Sequence, residues 1–279
     1  VQGLACHSLQ GDLRAPEVAA ELAALNCDVV FHLAGVVSAQ AEAEFDLGYG
    51  VNFDGTRGLL DAVRAASPGV RVVFASTIAV FGGPFPAVIP DDFHPTPKTS
   101  YGTQKLMSEL LLADYSRRGM LDGVGVRLPT ICVRPGLPNK AASSFFSSII
   151  REPLAGRRTT LPVPPEVLHT HASPRSAVNF LIHAAEIDSA TLGGRPNLTM
   201  PGVACTVGEQ IEALRRVAGA RFAGMIDAVP DEAVWAIVQN WPTRFEARRA
   251  RDLGFAAETG FDEIIRIHIE DELGGVLPA

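Results

Sequence analysis

Val70-Arg71-Val72-Val73-Phe74-Ala75-Ser76-Thr77 is an apolar run that ends on two hydroxyls. It reads as a buried strand. Hydroxyls at the carboxyl end of a parallel strand sit where open α/β sheets bind their ligands. The next stretch, Gly82 to Lys98, carries Pro84, Pro86, Pro90, Pro95 and Pro97 and cannot be regular structure, so it is expected to arch over the pocket as a substrate-facing loop. Then comes Ser100-Tyr101-Gly102-Thr103-Gln104-Lys105, the start of a helix that puts Tyr101 and Lys105 on one face, a turn apart.

That pair has a chemistry. An unperturbed phenol loses its proton near pH ~10 and is a poor base at neutrality, but a nearby ammonium favours the phenolate. Tyr101 could then take a proton from a substrate hydroxyl. The bland reading is an ordinary helix with a half-buried Tyr and a solvated Lys. With three Tyr and three Lys in the chain, a chance Tyr-x-x-x-Lys appears in roughly 3% of shuffled versions, which favours the catalytic reading.

Outward from this centre the chain alternates in type. Val1 to Ser8 reads as a strand leading to Gln10-Gly11-Asp12-Leu13, and Pro16 to Leu25 as a short amphipathic helix. Asp28 to Gly35 is a buried strand that ends in small residues, where backbone can approach a ligand closely. His32, inside that strand, is expected to be packed rather than catalytic. Glu42 to Ala66 is mostly helix and carries Asn52, an unfavourable mid-helix residue that either faces solvent or has a role.

Val124 to Leu128 is the next strand, and a polar turn around Asn139 leads into another helix. Ser173-Pro174-Arg175 starts a helix with Ser as cap, and Thr206-Val207-Gly208-Glu209 is a capping box. Asn139 or Arg175 could hold a small carboxylate, though a lone Arg pairs with a surface acid about as often. Trp235 and Trp241 are expected in the core.

Composition excludes several classes. A chain of 279 residues can bury a sizeable core, and its formal charge of −7 offers no basic field for nucleic acid, although 21 of the 24 cationic residues are Arg. No apolar run reaches the ~18 residues that cross a bilayer, so a soluble, cytoplasmic protein is expected. Cys6, Cys27, Cys132 and Cys205 are scattered, and no His shows metal-ligand spacing.

The pattern Phe74-Ala75-Ser76-Thr77-Ile78-Ala79-Val80-Phe81-Gly82 followed by Tyr101 and Lys105 resembles the extended short-chain dehydrogenase/reductase family, which holds NAD-dependent epimerases, dehydratases and dehydrogenases. The resemblance implies an α/β, Rossmann-type doubly wound parallel sheet with a smaller C-terminal α/β substrate lobe. A dinucleotide-binding domain over 1–153 and a mainly substrate-binding lobe over 154–279 are expected. It also implies that this text starts at the family's third strand, with about 50 to 60 residues of the fold before it.

By that resemblance Thr77, with Ser76 beside it, bonds the substrate oxygen, Tyr101 is the acid/base, and Lys105 also holds the nicotinamide ribose. Asp12 and Leu13 would lie at the adenine, Leu33, Ala34 and Gly35 at the ribose, and Pro129 near the cofactor. Asn52, in Val51-Asn52-Phe53-Asp54-Gly55-Thr56, would support the helix and the lysine. A homodimer through the Asn52 and Tyr101 helices is implied.

Further likenesses, Arg134-Pro135-Gly136 and Ala172-Ser173-Pro174-Arg175 among them, point to the D-erythronate dehydrogenase branch of the family. That implies NAD-dependent oxidation of the C2 hydroxyl of a small sugar acid. Two alternatives stay open. One is a nucleoside-diphosphate-sugar 4-epimerase, disfavoured by Thr130 where those enzymes usually carry Asn, and the other a non-catalytic NAD-binding regulatory protein.

Overall fold

The computed structural model describes residues 6–136 and 142–278. Within them the strands are β1 (Val29–His32), β2 (Arg71–Thr77), β3 (Asp122–Leu128), β4 (Thr130–Ile131), β5 (Thr159–Leu161), β6 (Leu168–Ala172), β7 (Asn197–Thr199), β8 (Val203–Thr206) and β9 (Ile226–Ala228). The helices are α1 (Pro16–Ala23), α2 (Ser38–Ala43), α3 (Phe45–Tyr49), α4 (Thr56–Ala66), α5 (Ser100–Arg117), α6 (Ser144–Leu154), α7 (Pro174–Glu186), α8 (Val207–Ala218), α9 (Ala220–Ala223), α10 (Glu232–Val238), α11 (Arg248–Asp252) and α12 (Phe261–Leu273). A π-helical turn, Gly50–Gly55, joins α3 to α4.

The main sheet runs β1-β2-β3-β7, all parallel. Its centre is apolar on both faces, as a sheet covered by helices requires. Val72 and Phe74 face one way, into a cluster with Leu59, Leu60 and Val63 of α4 and Leu112 of α5. Val73, Val124, Val126 and Leu198 face the other, against Phe180 of α7. This is the doubly wound arrangement expected from the alternation of strand and helix.

A third cluster joins Cys132, Val133, Phe145, Phe146 and Ile149 to Leu214 of α8 and Ile264 and Ile265 of α12. It lies with two small sheets, β4-β6-β8 and β5-β9. The capping box at Thr206 forms as read, with Glu209 N–H donating to Thr206 Oγ1 at 3.1 Å and Thr206 N–H donating to Glu209 Oε2 at 2.6 Å. Ser173 caps α7 by accepting from Ser176 N–H at 2.9 Å.

Several expectations change. In the strand read over Val1 to Ser8, residues 6–8 are irregular and residues 1–5 lie outside the described part. Trp235 is not core but 37% exposed. Val234, Val238 and Trp241, at helical spacing, form the stripe that meets the third cluster, and Trp235 sits a third of a turn off it. The segment after β2 is irregular as expected but tied down. Ile89 N–H donates to the Arg244 carbonyl and Glu246 N–H to the Ile89 carbonyl, each at 2.9 Å, and Asp91 accepts from Arg249 N–H at 2.8 Å. It straps the chain before α11 to the sheet rather than arching free. Among the described residues no helix is long and apolar enough to cross a membrane.

Candidate active site

The site forms where the carboxyl ends of β1 and β2 meet the first turns of α5. Thr99 caps α5, accepting from Gly102 N–H at 3.1 Å. Gly102 fixes how closely the helix docks. A Cβ there would stand 2.3 Å from the Ala79 carbonyl oxygen, a distance no side-chain carbon tolerates, so only glycine lets this turn lie against the 3-10 turn Ile78–Val80. The docking sets Tyr101 beside Thr77.

Thr77 Oγ1 accepts from Ala79 N–H at 3.1 Å, which leaves its own proton free to donate. Burial pushes the Tyr101 phenol up to about 12, opposed by the Thr77 hydroxyl that faces it. That is the reverse of the lowering expected from Lys105. The ammonium lies 6.0 Å from the Tyr101 ring centroid, and removal of the phenol from water outweighs it.

Lys105 is 4% exposed. Burial draws its pKa down to about 8, against an upward pull from Glu109. Its ammonium lies 4.7 Å above the Phe74 ring and donates to the Ala75 carbonyl at 3.0 Å. Among the described residues it has no other hydrogen-bond acceptor, so two of its three N–H bonds are free for a ligand.

Gly35, exposed at the end of β1, lies over this ammonium. A Cβ on it would meet Lys105 Nζ at 3.4 Å and Asn52 Oδ1 at 3.1 Å. Leu33 and Ala34 are exposed beside it. A bare backbone over an under-coordinated ammonium fits a ribose with vicinal hydroxyls, and so these residues fit a nicotinamide dinucleotide.

Asn52 is fully buried in the π-helical turn, a distortion often found at functional sites. Its Oδ1 accepts from Val36 N–H at 2.7 Å, and its Nδ2 donates to the Val36 carbonyl at 3.1 Å and to Gln104 Oε1 at 2.8 Å. It therefore pins the loop after β1 to the helix of Lys105, with both of its amide protons engaged in that support. His32 is packed as expected. Its Nε2 pairs with Thr56 Oγ1 at 2.7 Å, and burial together with the Lys105 charge lowers its pKa to about 3.

The remaining residues separate. Ser76 faces away from Thr77, because adjacent strand residues point to opposite faces. Its hydroxyl is buried and donates to Glu109 at 2.5 Å, so it is not placed to share the substrate oxygen with Thr77. Asp12 is engaged by Arg14, which donates from its backbone N–H at 2.9 Å and its guanidinium at 2.5 Å and holds the carboxyl down to about 2. Leu13 is a packing residue against Gly55. Pro129 is buried.

Arg175 donates to Asp271 at 2.6 Å and Glu270 at 3.1 Å on α12, the surface pair that was its bland reading. Asn139 lies outside the described residues. Thr130 pairs with His169 Nε2 at 2.7 Å. No group of three or more metal-ligating side chains occurs among the described residues.

Two residues escaped the sequence reading. Glu109 and Arg127 form a buried ion pair behind Lys105, with Arg127 Nη2 to Glu109 Oε2 at 2.7 Å. Glu109 was findable, since it is the next four-residue step along the stripe of Tyr101 and Lys105.

Residues 3–175, more than half the chain, match the NAD dependent epimerase/dehydratase family. The chain is 49% identical over 261 residues to the D-erythronate dehydrogenase of Cupriavidus necator, covering 94% of this chain and 81% of that one. It is 44% identical over 268 residues to the D-erythronate dehydrogenase of Haemophilus influenzae, covering 96% and 84%. A crystal structure described as a nucleoside-diphosphate-sugar epimerase from Agrobacterium tumefaciens superposes with a TM-score of 0.95 at 56% identity, over 100% of this chain and 84% of that one.

Proposed function

The chain belongs to the NAD-dependent epimerase/dehydratase family, and from that premise we propose that it oxidises the C2 hydroxyl of a small sugar acid of the D-erythronate type to the 2-oxo acid. The observation that carries this is identity of 44–49% to two D-erythronate dehydrogenases over nearly the whole chain, joined to an intact Thr77, Tyr101 and Lys105.

The enzyme is NAD-dependent, and bound NAD supplies the acceptor for the hydride that leaves C2. The chain's own residues do the rest. Thr77 donates its free proton to the substrate oxygen and orients the hydroxyl. Tyr101 takes the hydroxyl proton as general base. Lys105, as ammonium, favours the phenolate and offers its two unused N–H groups to the ribose, with Leu33, Ala34 and Gly35 as the backbone wall. Asn52 holds that wall against α5.

The substrate carboxylate needs a cation, and Arg175 is taken. Arg134, beyond β4, is partly buried beside Arg151, and its guanidinium has no partner among the described residues. Burying an uncompensated charge is costly, and a bound carboxylate removes that cost. We assign it that role.

A second reading, the sugar-nucleotide 4-epimerase, is favoured by the description of the Agrobacterium structure. Against it stands Thr130, whose hydroxyl is held by His169 where such enzymes place an amide for the nucleotide phosphate. The two readings differ in net redox change. NADH measured by absorbance should accumulate steadily when the enzyme meets NAD and D-erythronate, and not with UDP-glucose or UDP-galactose. No NADH with the tetronate, together with interconversion of the UDP sugars, overturns the dehydrogenase.

A further inference from the structure

The geometry points to Glu109 as a positioning residue of the site: we propose that its carboxylate, anchored by Ser76 and Arg127, is the buried counter-charge of the Lys105 ammonium. The argument begins with what burial does to Lys105. A lysine sealed between helix and sheet is pressed towards its neutral form, and a neutral amine cannot favour a phenolate. Something must oppose the desolvation.

Glu109 stands one helical turn from Lys105 on the same face of α5, and its side chain is 1% exposed. Both of its oxygens are occupied. Oε1 accepts from Ser76 Oγ at 2.5 Å and Arg127 Nε at 3.0 Å, and Oε2 from Arg127 Nε at 3.1 Å and Nη2 at 2.7 Å. Arg127 is itself fixed, its guanidinium 5.0 Å over the Phe81 ring. The carboxylate is therefore aimed by β2 and β3 together and cannot swing out to solvent.

The charge balance gives the arrangement its use. The charged and titratable groups around Lys105 are Tyr101 and Glu109 on its own helix, His32 on β1 and, through Glu109, Arg127 on β3. Buried His32 is neutral at physiological pH. Glu109 and Arg127 cancel each other, so the buried cluster carries a net charge of about +1, which sits on Lys105 and faces Tyr101. Glu109 stands on the same helix as Lys105 and Arg127 on the neighbouring strand, and the carboxylate is the charge that opposes the desolvation of Lys105. An ion pair whose sole task was to clamp α5 to the sheet would leave the titration of Lys105 unchanged on removal. This separates the two roles.

The inference rests on the proposed reaction for its use, and its test does not. Lysines are few in this sequence, at Lys98, Lys105 and Lys140, so with lysine Cε labelled the NMR signal of Lys105 is identified as the one that Lys105→Ala removes. The titration of Lys105 is followed in Glu109→Gln and in the double variant Glu109→Gln, Arg127→Met, which leaves no guanidinium buried alone. In both, Lys105 should lose its proton about one pH unit earlier, and kcat near pH 8 should fall about fivefold with KM for the sugar acid unchanged. Superposable Lys105 titrations in the wild type and a folded variant overturn the proposal. A shifted titration in a protein that does not oxidise the sugar acid leaves this inference standing and removes the functional reading instead.

Discussion

Ser76 and Thr77 are neighbours with opposite fates. Period-two alternation sends Thr77 to the rim beside Tyr101 and Ser76 under α5 to Glu109. The same contrast separates the arginines. Arg175 is satisfied by two carboxylates on α12, whereas the half-buried Arg134 guanidinium has no partner among the described residues. Arg134→Ala should therefore raise KM for the sugar acid roughly 10- to 100-fold with a smaller effect on kcat, the loss expected for one charge-assisted contact of ~1.5–3 kcal/mol. Arg175→Ala should leave KM within about twofold. Steady-state kinetics on the two variants decide the assignment, and equal effects would remove Arg134 from the site.

At the scale of elements, α5 is placed by its first turn. Gly102→Ala sets a methyl 2.3 Å from the Ala79 carbonyl and 3.0 Å from Pro97 Cβ, and neither neighbour is a flexible side chain. The helix must shift, at a cost of about 1–3 kcal/mol, and carries Tyr101 away from Thr77. Gly58 in α4 is the opposite case, with nothing within 4 Å of its would-be Cβ, so Gly58→Ala should stabilise by about 0.5–1 kcal/mol through helix propensity. Thermal melts should move in opposite directions for the same chemical change, with kcat lost in the first variant only. Equal melts would mean that the α5 turn has slack.

For the whole molecule the buried histidines set the acid limit. His169 is stacked on Phe146, and burial lowers its pKa to about 4 although the Pro242 backbone carbonyl, an acceptor that favours the protonated ring, opposes this. His171, 0% exposed, is lowered well below its usual value and His32 to about 3. A folded-state pKa below the unfolded value of 6.5 means that the unfolded chain binds more protons between the two. The stabilisation is then complete above about pH 6.5 and is lost as pH falls towards 4. For His169 the loss is roughly 3 kcal/mol. Melting temperature should hold from about pH 8 to 7 and drop steeply below about 6, and His169→Gln should flatten part of the drop. A melting temperature constant down to about pH 4.5 would show that these rings bind the same number of protons folded and unfolded, so that burial does not lower their pKa.

The sequence by itself determined the local features: the buried strand Arg71–Thr77, the four-residue spacing of Tyr101 and Lys105, the caps at Ser173 and Thr206, and the irregular proline-rich segment between strand and helix. Each follows from period or propensity within a turn or two of chain, which a linear reading captures. Tertiary structure alone decided the partners. Ser76 meets Glu109 33 residues away, Arg175 meets Asp271 96 residues away, and Ser173 meets Glu258 85 residues away. A polar group's role depends on which group satisfies it after burial, and packing between distant elements settles that. So the Tyr101 and Lys105 pair was legible in the sequence, while the ion pair behind it became visible only once the chain had folded.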